Sequence, residues 1–285
     1  MEELKIKAPA KINLHLEVLR KRDDDFHDIS SIFTLIDLYD TLIFKRSEGN
    51  ISLKEQTPIK DNIVIKAAEL VKDLYSVKEG VSIELIKSIP DQKGLGGGSS
   101  DAAATIVGLN KLWNLKIPNK ELLDIALKLG SDVPFFVYGK TAWAQGRGEI
   151  LEEYPYKNRF FLLKFPELKI STKLAFEKSN LVFKGSPNKE IFEIDQYFNS
   201  FEHWIRENYS EMEEAFKDLE AVGQPRLSGT GSTIFIEYDN LEAAKSAQSK
   251  FPELVLTKSL ERSPLMQIIC LLYTSDAADD VVGVV

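Results

Sequence analysis

The chain has 285 residues, of which 44% are hydrophobic and 28% charged, and its formal net charge is −8 at pH 7. This composition excludes general disorder and leaves room for one large or two ordinary domains. The acidic balance argues against nucleic acid as a partner, because a phosphate backbone requires a clustered positive surface. No apolar run approaches the roughly 18 residues that span a bilayer, and the N-terminus lacks the apolar core of a signal peptide. We therefore expect a cytoplasmic protein with no membrane partner.

The N-terminal half of the chain predicts strands and helices in alternation. Strands are predicted over residues 4–7, 12–18, 29–37, 40–46 and 81–86, and helices over 61–75, 99–112 and 119–129. Asp61 or Asn62 is expected to cap the first helix. The even-numbered apolar residues from Ile12 to Val18 are expected to share one strand face. A turn is expected at residues 38–41, and Gly130 should end the third helix in the left-handed conformation usual at that position.

After residue 150 the pattern changes, which places a domain boundary between residues 148 and 156. Strands are predicted over residues 159–165, 168–171, 233–238 and 254–257, and helices over 191–208, 211–219 and 241–251. Because strands and helices interleave without the strict alternation of a doubly wound sheet, the sequence predicts an α+β fold with two domains. We set these domains at residues 1–152 and 153–266.

The C-terminal residues 267–285 differ from the rest of the chain. They hold the only cysteine, Cys270, and three aspartates with no basic residue. No sustained helical or strand period runs through them, and the run from Cys270 to Asp280 resembles translated adapter sequence at the end of an assembled reading frame. We interpret the segment as a non-native tail and leave it out of the fold prediction, the alternative being a natural extension. A single cysteine excludes a disulfide framework and a cysteine-based zinc site.

The strongest chemical signal is the glycine-rich segment that begins at Pro90. Four of the five residues from Gly94 to Gly98 are glycines, and each costs backbone entropy that a purely structural segment avoids. Glycines permit positive φ values and let backbone N–H groups converge, and Ser99 and Ser100 then open an alanine-rich helix. Converging N–H groups at a helix N-terminus form a phosphate site. The alternative is a tight strand-to-helix turn capped by Ser99, and the pattern matches neither the P-loop nor the dinucleotide-binding glycine motif.

Three further segments place polar groups beside small or apolar residues. Lys11, Asn13 and His15 share one strand face, which is either solvated or part of a site. Asp132 lies between a helix end and an apolar run, where it is either a local cap or a carboxylate in a poorly hydrated pocket that needs a cationic partner. Residues 227–233, Leu-Ser-Gly-Thr-Gly-Ser-Thr, are rich in N–H and hydroxyl donors, although taken alone a β-turn is the better interpretation.

In order and spacing, residues 9–14, 94–103, 129–136 and 227–232 together resemble the kinase superfamily named for galactose, homoserine, mevalonate and phosphomevalonate (GHMP). The resemblance covers residues 4–265 and is closest to the branch that phosphorylates 4-diphosphocytidyl-2-C-methyl-D-erythritol. It implies the two-domain GHMP-kinase fold, with an N-terminal ATP-binding α/β domain and a C-terminal α+β substrate domain. It also implies an ATP- and Mg²⁺-dependent kinase that phosphorylates the 2-hydroxyl of that cytidine diphosphate ester in the non-mevalonate isoprenoid pathway. The alternatives are a homoserine, mevalonate or sugar kinase of the same superfamily, and a nucleotide-binding regulator without catalysis.

The resemblance also assigns roles to single residues. Lys11 and Asp132 match the catalytic pair, in which the lysine keeps the carboxylate ionised and the aspartate accepts or orients the proton of the attacking hydroxyl. The residues that match the ATP-binding loop are Gly94, Leu95, Gly96, Gly97, Gly98, Ser99 and Ser100, and either serine is a candidate contact for Mg²⁺. The residues that match substrate-binding positions are Asn13, Phe26, His27, Phe176, Gly229, Thr230 and Gly231.

Within this set, Phe26 and Phe176 are expected to sandwich the cytosine while His27 recognises its edge. Most relatives carry tyrosine where this chain has Phe26, so the stacking surface remains and the hydroxyl is lost. Gly229 to Gly231 are expected to approach the diphosphate of the substrate. We interpret His15 and the three tryptophans as structural residues, and expect a monomer or a weak homodimer.

Overall fold

The computed structural model describes residues 3–156, 158–179, 181 and 198–274. Its strands are β1 (Glu3–Lys21), β2 (His27–Ser47), β3 (Ile51–Glu55), β4 (Gly80–Ile86), β5 (Ala142–Gln145), β6 (Ile150–Glu153), β7 (Phe160–Lys164), β8 (Arg226–Leu227), β9 (Ile234–Tyr238) and β10 (Val255–Lys258). Its helices are α1 (Ile63–Leu74), α2 (Gly97–Leu112), α3 (Asn119–Leu129), α4 (Val133–Tyr138), α5 (Thr172–Lys178), α6 (Glu202–Asn208), α7 (Ser210–Leu219), α8 (Leu241–Gln248) and α9 (Pro264–Thr274). Within these residues one sheet has the order β3-β4-β2-β5-β6 with β1 paired to β2, and the other has the order β10-β7-β9-β8.

The first sheet is built on a long antiparallel ribbon of β1 and β2. Each runs as a single strand where the sequence predicted two, so the predicted turn at residues 38–41 is wrong. Pro9 pairs with Tyr39 but Ala10 pairs with Ile36, which leaves two extra residues of β2 in a bulge. A bulge bends a strand without ending it, and this accounts for the break in the apolar pattern that suggested a turn.

A second irregularity, between Asn13 and His15, exchanges the two faces of β1. Ile12 and Leu14 pack in a cluster with side chains of the second sheet, whereas Leu16 and Val18 pack in the larger core of the first sheet. The prediction of one common apolar face is therefore wrong, because one extra residue in a strand reverses every side chain beyond it. β1 consequently contacts both halves of the protein.

Helices α1 and α2 cover one face of the first sheet. Asn62 caps α1, with its Oδ1 accepting from the N–H of Val64 at 2.9 Å, as predicted. Helix α2 begins at Gly97, two residues earlier than predicted, and contacts the sheet closely at Gly108, where a Cβ would lie 2.9 Å from Phe44. The predicted left-handed conformation of Gly130 is wrong, since its φ of 165° is extended and the chain soon enters α4.

The second sheet follows the predicted strands except at residues 168–171, which are irregular. The described part of the helix predicted over 191–208 begins at Glu202, and residues 191–197 lie outside the described residues. The break between the two sheets falls between β6 and β7. Our proposed domain boundary after residue 152 falls one residue before the end of β6 and stays a prediction.

Helix α9 extends into residues 267–285, the segment interpreted above as a non-native tail. Leu265 and Ile269, one helical turn apart, are buried, and the helix packs against α2 and β1. Residues 267–274 thus continue a helix where the sequence indicated no helical period, the non-native origin of the segment stays a prediction, and residues 275–285 lie outside the described residues. None of the helices described has the length and apolar character to cross a bilayer.

Candidate active site

A cavity of about 1260 Å³ opens between β1, the glycine-rich loop, α5 and the turn at residues 227–233. The predicted site residues that line it are Lys11, Asn13, Phe26, His27, Gly94, Leu95, Gly96, Gly97, Gly98, Ser99, Asp132, Phe176, Gly229 and Thr230. Two predicted residues lie elsewhere. Ser100 is fully buried, and Gly231 lines a neighbouring cavity of about 360 Å³. No group of three or more His, Cys, Asp or Glu in the described residues is placed to hold a metal ion.

The glycine loop is packed against β1 and against the turn at residues 227–233. Gly94 and Gly96 have φ values of +74° and +69°, in the left-handed region. A Cβ on Gly94 would lie 2.3 Å from the carbonyl oxygen of Ser228, so no larger residue fits there. The backbone N–H of Lys11 donates to the carbonyl of Leu95 at 3.0 Å, which fixes the loop on β1. The N-terminus of the 16-residue α2 therefore opens onto the cavity, as a phosphate site requires.

Lys11 and Asp132 face each other across the cavity floor. The Nζ of Lys11 lies 3.6 Å from Asp132 Oδ2 and donates to Asn13 Oδ1 at 2.6 Å. Burial lowers the pKa of Lys11, and the neighbouring Asp132 opposes the shift. Lys11, Asn13 and His15 are all buried, so the solvated-face alternative is wrong. The prediction that the three share one face is also wrong for His15, because the irregularity between Asn13 and His15 exchanges the faces of β1, and of the three only Lys11 and Asn13 line the cavity.

Asp132 fits neither of the two alternatives considered from the sequence. It occupies the N-cap position of α4, but its side chain makes no capping hydrogen bond. Its carboxylate is 37% exposed, so it does not lie in a poorly hydrated pocket either. The carboxylate is instead held toward Lys11 at the edge of the cavity, where a substrate hydroxyl can reach it.

Phe26, His27 and Phe176 line the cavity together, and the cytosine sandwich expected from the sequence stays a prediction. Phe176 stacks on His27, with ring centroids 4.7 Å apart and an interplanar angle of 30°. Phe26 is 48% exposed, and the guanidinium of Arg147 lies 4.5 Å above its ring. Burial, assisted by Lys21, lowers the pKa of His27, so its imidazole is neutral at pH 7 and both donates and accepts hydrogen bonds.

Cationic residues that the sequence analysis missed supply positive charge around the cavity. They are Lys21, Lys87, Lys93, Arg147 and Lys173. Two of them carried a local signal, since Arg147 stands between two glycines of positive φ and Lys93 lies inside the glycine-rich segment. Lys21, Lys87 and Lys173 lie within a few residues of predicted site positions, but no local pattern indicates that their side chains line the cavity.

Lys87 lies between two buried carboxylates behind the glycine loop. Its Nζ is 2.5 Å from Asp40 Oδ2 and 2.8 Å from Asp101 Oδ2. Asp40 also accepts from the backbone N–H groups of Ser88 and Ile89. Burial raises the pKa of Asp101 to about 7, because Lys87 offsets only part of the desolvation and Asp40 adds to it.

Asp101→Asn is expected to remove a pH dependence of stability. Because the folded pKa of about 7 lies above the ordinary aspartate value of roughly 4, the folded chain binds more protons than the unfolded chain between these pH values. The free energy of unfolding therefore falls as the pH rises through this range. The asparagine does not titrate, so the free energy of unfolding of the variant should not show this fall. Measured by urea unfolding, its value relative to that of the parent should rise by on the order of 1 kcal/mol or more between pH 5 and pH 8. Asp124→Asn, at an exposed position of α3, is the control, and a difference from the parent that is the same at both pH values contradicts the assignment.

Comparison with known proteins places this geometry in a known class. The chain matches the family described as "GHMP kinases N terminal domain" over residues 62–140 and "GHMP kinases C terminal" over residues 188–255. A crystal structure of a mevalonate kinase has a TM-score of 0.66 at 15% identity, covering 91% of this chain and 100% of its own, and shares the fold. The two-domain fold and the glycine loop define a GHMP kinase, and the predicted fold class is confirmed.

Two further comparisons narrow the class. A 4-diphosphocytidyl-2-C-methyl-D-erythritol kinase of Acinetobacter baylyi is 38% identical over 274 residues, covering 92% of this chain and 97% of its own. A crystal structure of a 4-(cytidine 5'-diphospho)-2C-methyl-D-erythritol kinase has a TM-score of 0.80 at 29% identity, covering 90% of this chain and 99% of its own. The chain belongs to the 4-diphosphocytidyl-2-C-methyl-D-erythritol kinase family.

Proposed function

We propose that the chain transfers a phosphoryl group from ATP to the 2-hydroxyl of 4-diphosphocytidyl-2-C-methyl-D-erythritol, giving the 2-phosphate and ADP. This places it in the non-mevalonate pathway to isoprenoid precursors. The observation that carries the proposal is one cavity that joins a phosphate-type glycine loop, the Lys11–Asp132 pair and a cluster of aromatic and imidazole rings. The family to which the chain belongs is named as a kinase of this substrate. We also propose a cytoplasmic monomer or weak homodimer without a nucleic-acid or membrane partner.

In the proposed mechanism Asp132 accepts or orients the proton of the attacking hydroxyl. Lys11, 3.6 Å away, stabilises the carboxylate and the negative charge that develops on the transferred group. Asn13 fixes the ammonium through its 2.6 Å hydrogen bond, so the charge is held in place before the substrate binds. Because phosphoryl transfer has a loose transition state, most of the acceleration is expected from alignment and charge stabilisation.

The glycine loop is the proposed site of the ATP phosphates, on the N–H groups of the loop and of the first turn of α2. Mg²⁺ adds charge neutralisation when it is bound with these phosphates, since this ion keeps phosphate and water ligands. Ser99 is the residue that fits a direct contact with the ion, because it lines the cavity whereas Ser100 is buried.

The rings at the other end of the cavity are proposed to bind the cytosine. Phe26 and Phe176 offer apolar ring faces, and the neutral imidazole of His27 offers a donor and an acceptor for the base edge. Gly229 and Thr230 line the cavity beside them and are proposed to approach the diphosphate. These contacts distinguish the proposed substrate from homoserine, mevalonate or a sugar, which carry no base.

A coupled assay of ADP release, with the cytidyl ester, mevalonate and homoserine as parallel acceptors, tests the proposal. Turnover is expected with the cytidyl ester, and only background ADP release with the other two. Turnover with mevalonate or homoserine but not with the cytidyl ester would assign the chain to another branch of the superfamily. No turnover with any of them, in a folded protein that binds nucleotide, would favour a regulator without catalysis.

His27→Ala is expected to raise KM for the cytidyl ester by about 10-fold or more, since a lost hydrogen bond in a partly buried site costs roughly 1–3 kcal/mol. KM for ATP should change by less than about twofold, because the glycine loop keeps its contacts. Steady-state kinetics with each substrate varied in turn measures both values. His203→Ala, at an exposed histidine of α6, is the matched control. An unchanged KM for the cytidyl ester would place the base elsewhere.

A further inference from the structure

Lys93 connects the glycine loop to the second half of the protein through a single ammonium group. Its Nζ donates to the carbonyl oxygens of Pro166 and Leu168, the latter at 2.8 Å, and to the hydroxyl of Ser232 at 3.1 Å. An ammonium has three N–H donors, so these three acceptors use all of them. The side chain therefore acts as a connection between segments.

These three hydrogen-bond acceptors belong to two segments of the chain. Both segments border the part of the cavity that is proposed to bind the phosphoryl-accepting substrate. Residues 166–168 lead into α5, which carries Phe176 to the cavity wall. Ser232 belongs to the turn at residues 227–233, which carries Thr230 to the same wall. The two segments also meet each other, since the hydroxyl of Ser232 donates to the carbonyl of Leu168 at 2.8 Å.

Backbone contacts beside Lys93 leave little freedom between the loop and the turn. The N–H of Thr233 donates to the carbonyl of Lys93 at 3.3 Å, and the hydroxyl of Ser228 donates to the carbonyl of Gly94 at 3.1 Å. The hydroxyl of Ser228 also accepts from the backbone N–H of Asn13 at 3.2 Å. A displacement of the glycine loop is therefore expected to move the turn with it, because packed backbones transmit strain.

The surroundings of the Lys93 ammonium favour hydrogen bonds to neutral oxygens of other segments over an ion pair. Burial and the positive charge of Lys169 lower the pKa of Lys93, with Glu167 opposing them. Its three hydrogen-bond acceptors are neutral oxygens, so the cost of holding a charged group there is balanced by bonds to the two segments. An apolar side chain of the same length would pack at lower desolvation cost but would remove the direct bonds from the loop to residues 166–168, leaving the loop joined to the turn by the contacts of Thr233 and Ser228 alone.

We propose that Lys93 is a positioning residue that couples the glycine loop to residues 166–178 and to the turn at residues 227–233. Nucleotide bound at the loop then orders the segments that hold the acceptor, and the two reacting groups are aligned together. The inference rests on the proposed function, in which the loop binds ATP and the opposite segments bind the acceptor. Loss of this coupling is expected to disturb the alignment of the two reacting groups. A misplacement of about 1 Å is enough to lower the rate roughly 100-fold.

Hydrogen–deuterium exchange tests the coupling without an acceptor substrate. The parent, Lys93→Met and Lys93→Arg are compared with and without a non-hydrolysable ATP analogue and Mg²⁺. The analogue should slow exchange in residues 90–100 of all three proteins, and in residues 166–178 of the parent and Lys93→Arg alone. Lys169→Met, an exposed lysine of the same segment, is the matched control and should behave as the parent does.

Two outcomes of this experiment overturn the coupling. One is slowed exchange over residues 166–178 in Lys93→Met, and the other is no slowing there in a parent whose glycine loop is protected. A parent whose loop shows no protection contradicts the proposed nucleotide site, and the inference with it, so the two failures are distinguishable.

Kinetics provides the second readout. Lys93→Met is expected to lower kcat by about 10- to 100-fold with KM for ATP within about threefold of the parent, and Lys93→Arg should restore most of kcat. A merely structural role would instead lower the unfolding midpoint and weaken nucleotide binding in proportion. A kcat within threefold of the parent in Lys93→Met overturns the proposal. If that variant does not fold, Lys93→Gln, which keeps part of the hydrogen bonding, takes its place with the same criteria.

Discussion

Asp132→Ala is expected to lower kcat by at least about 100-fold while nucleotide still binds, because it removes the group that accepts or orients the proton of the attacking hydroxyl. The carboxylate is the partner of Lys11 at 3.6 Å and stands at the edge of the cavity. It also opposes the effect of burial on the pKa of Lys11. Removing it therefore lowers that pKa further, and the ammonium loses both its counter-charge and part of its ability to stabilise the transferred phosphoryl group.

The fold should survive this substitution. The side chain of Asp132 makes no capping hydrogen bond to α4 and is 37% exposed, so its loss leaves no buried polar group unsatisfied in the helix. The glycine loop is held by other contacts, including the bond from Lys11 N–H to the carbonyl of Leu95. Nucleotide affinity is expected to stay within about threefold of the parent, which separates a catalytic defect from a binding defect.

Three measurements decide the case. ADP release gives kcat, calorimetric titration with a non-hydrolysable ATP analogue gives the nucleotide Kd, and thermal unfolding reports the fold. Asp91→Ala, which removes an exposed carboxylate from the rim of the same cavity, is the matched control and should retain activity. Asp132→Asn keeps the shape but not the basicity, so it should be nearly as slow as the alanine variant. Turnover within a few-fold of the parent in either variant removes Asp132 from the mechanism.

The sequence correctly predicted elements whose formation depends mainly on residues nearby in the chain. The cap at Asn62, the helix α3 and the strand β4 follow from side chains within one or two turns of the chain, and the structure has all three. The predicted turn at residues 38–41 failed because Asp40 is not a turn residue. It is buried in the sheet, where it accepts from Lys87 and from two backbone N–H groups across the strand. No local pattern distinguishes an aspartate in a turn from one paired with a distant lysine.

The candidate site shows the same division. The glycine loop could be found from its composition, since a dense run of glycines before a helix has few other uses. The face of β1 that carries Lys11 was ambiguous, because only the second sheet decides whether a polar strand face is covered. Arg147 and Lys93 were missed since their positions depend on contacts with Phe26 and with the segment at residues 166–168, which no sequence spacing predicts.

Gly96→Ala is expected to lower the unfolding free energy by about 2 kcal/mol or more and to weaken nucleotide binding by at least about 10-fold. Its φ of +69° is unfavourable by roughly 1–2 kcal/mol for a residue with a Cβ. The added Cβ would also lie 2.8 Å from Cζ of Phe136 and 3.2 Å from Cε of Lys11. Phe136 is fully buried and cannot yield, so the strain falls on the loop and on the catalytic lysine.

Two other glycines, one outside the loop and one in the first turn of α2, separate the backbone cost from the steric cost. Gly49 has a φ of +73° with nothing within 4 Å of an added Cβ, so Gly49→Ala should show the backbone cost alone and leave nucleotide binding unchanged. Gly98 lies inside α2, and an added Cβ would meet only Ile63 at 3.9 Å, so Gly98→Ala should be as stable as the parent or slightly more stable. Urea unfolding and titration with an ATP analogue measure both effects. If Gly96→Ala loses no more stability than Gly49→Ala and binds the analogue as the parent does, the close approach of the loop to Lys11 is not needed for the site. If Gly96→Ala alone loses more stability and more affinity for the analogue, the absence of a side chain at Gly96 is needed both for phosphate binding and for the position of Lys11.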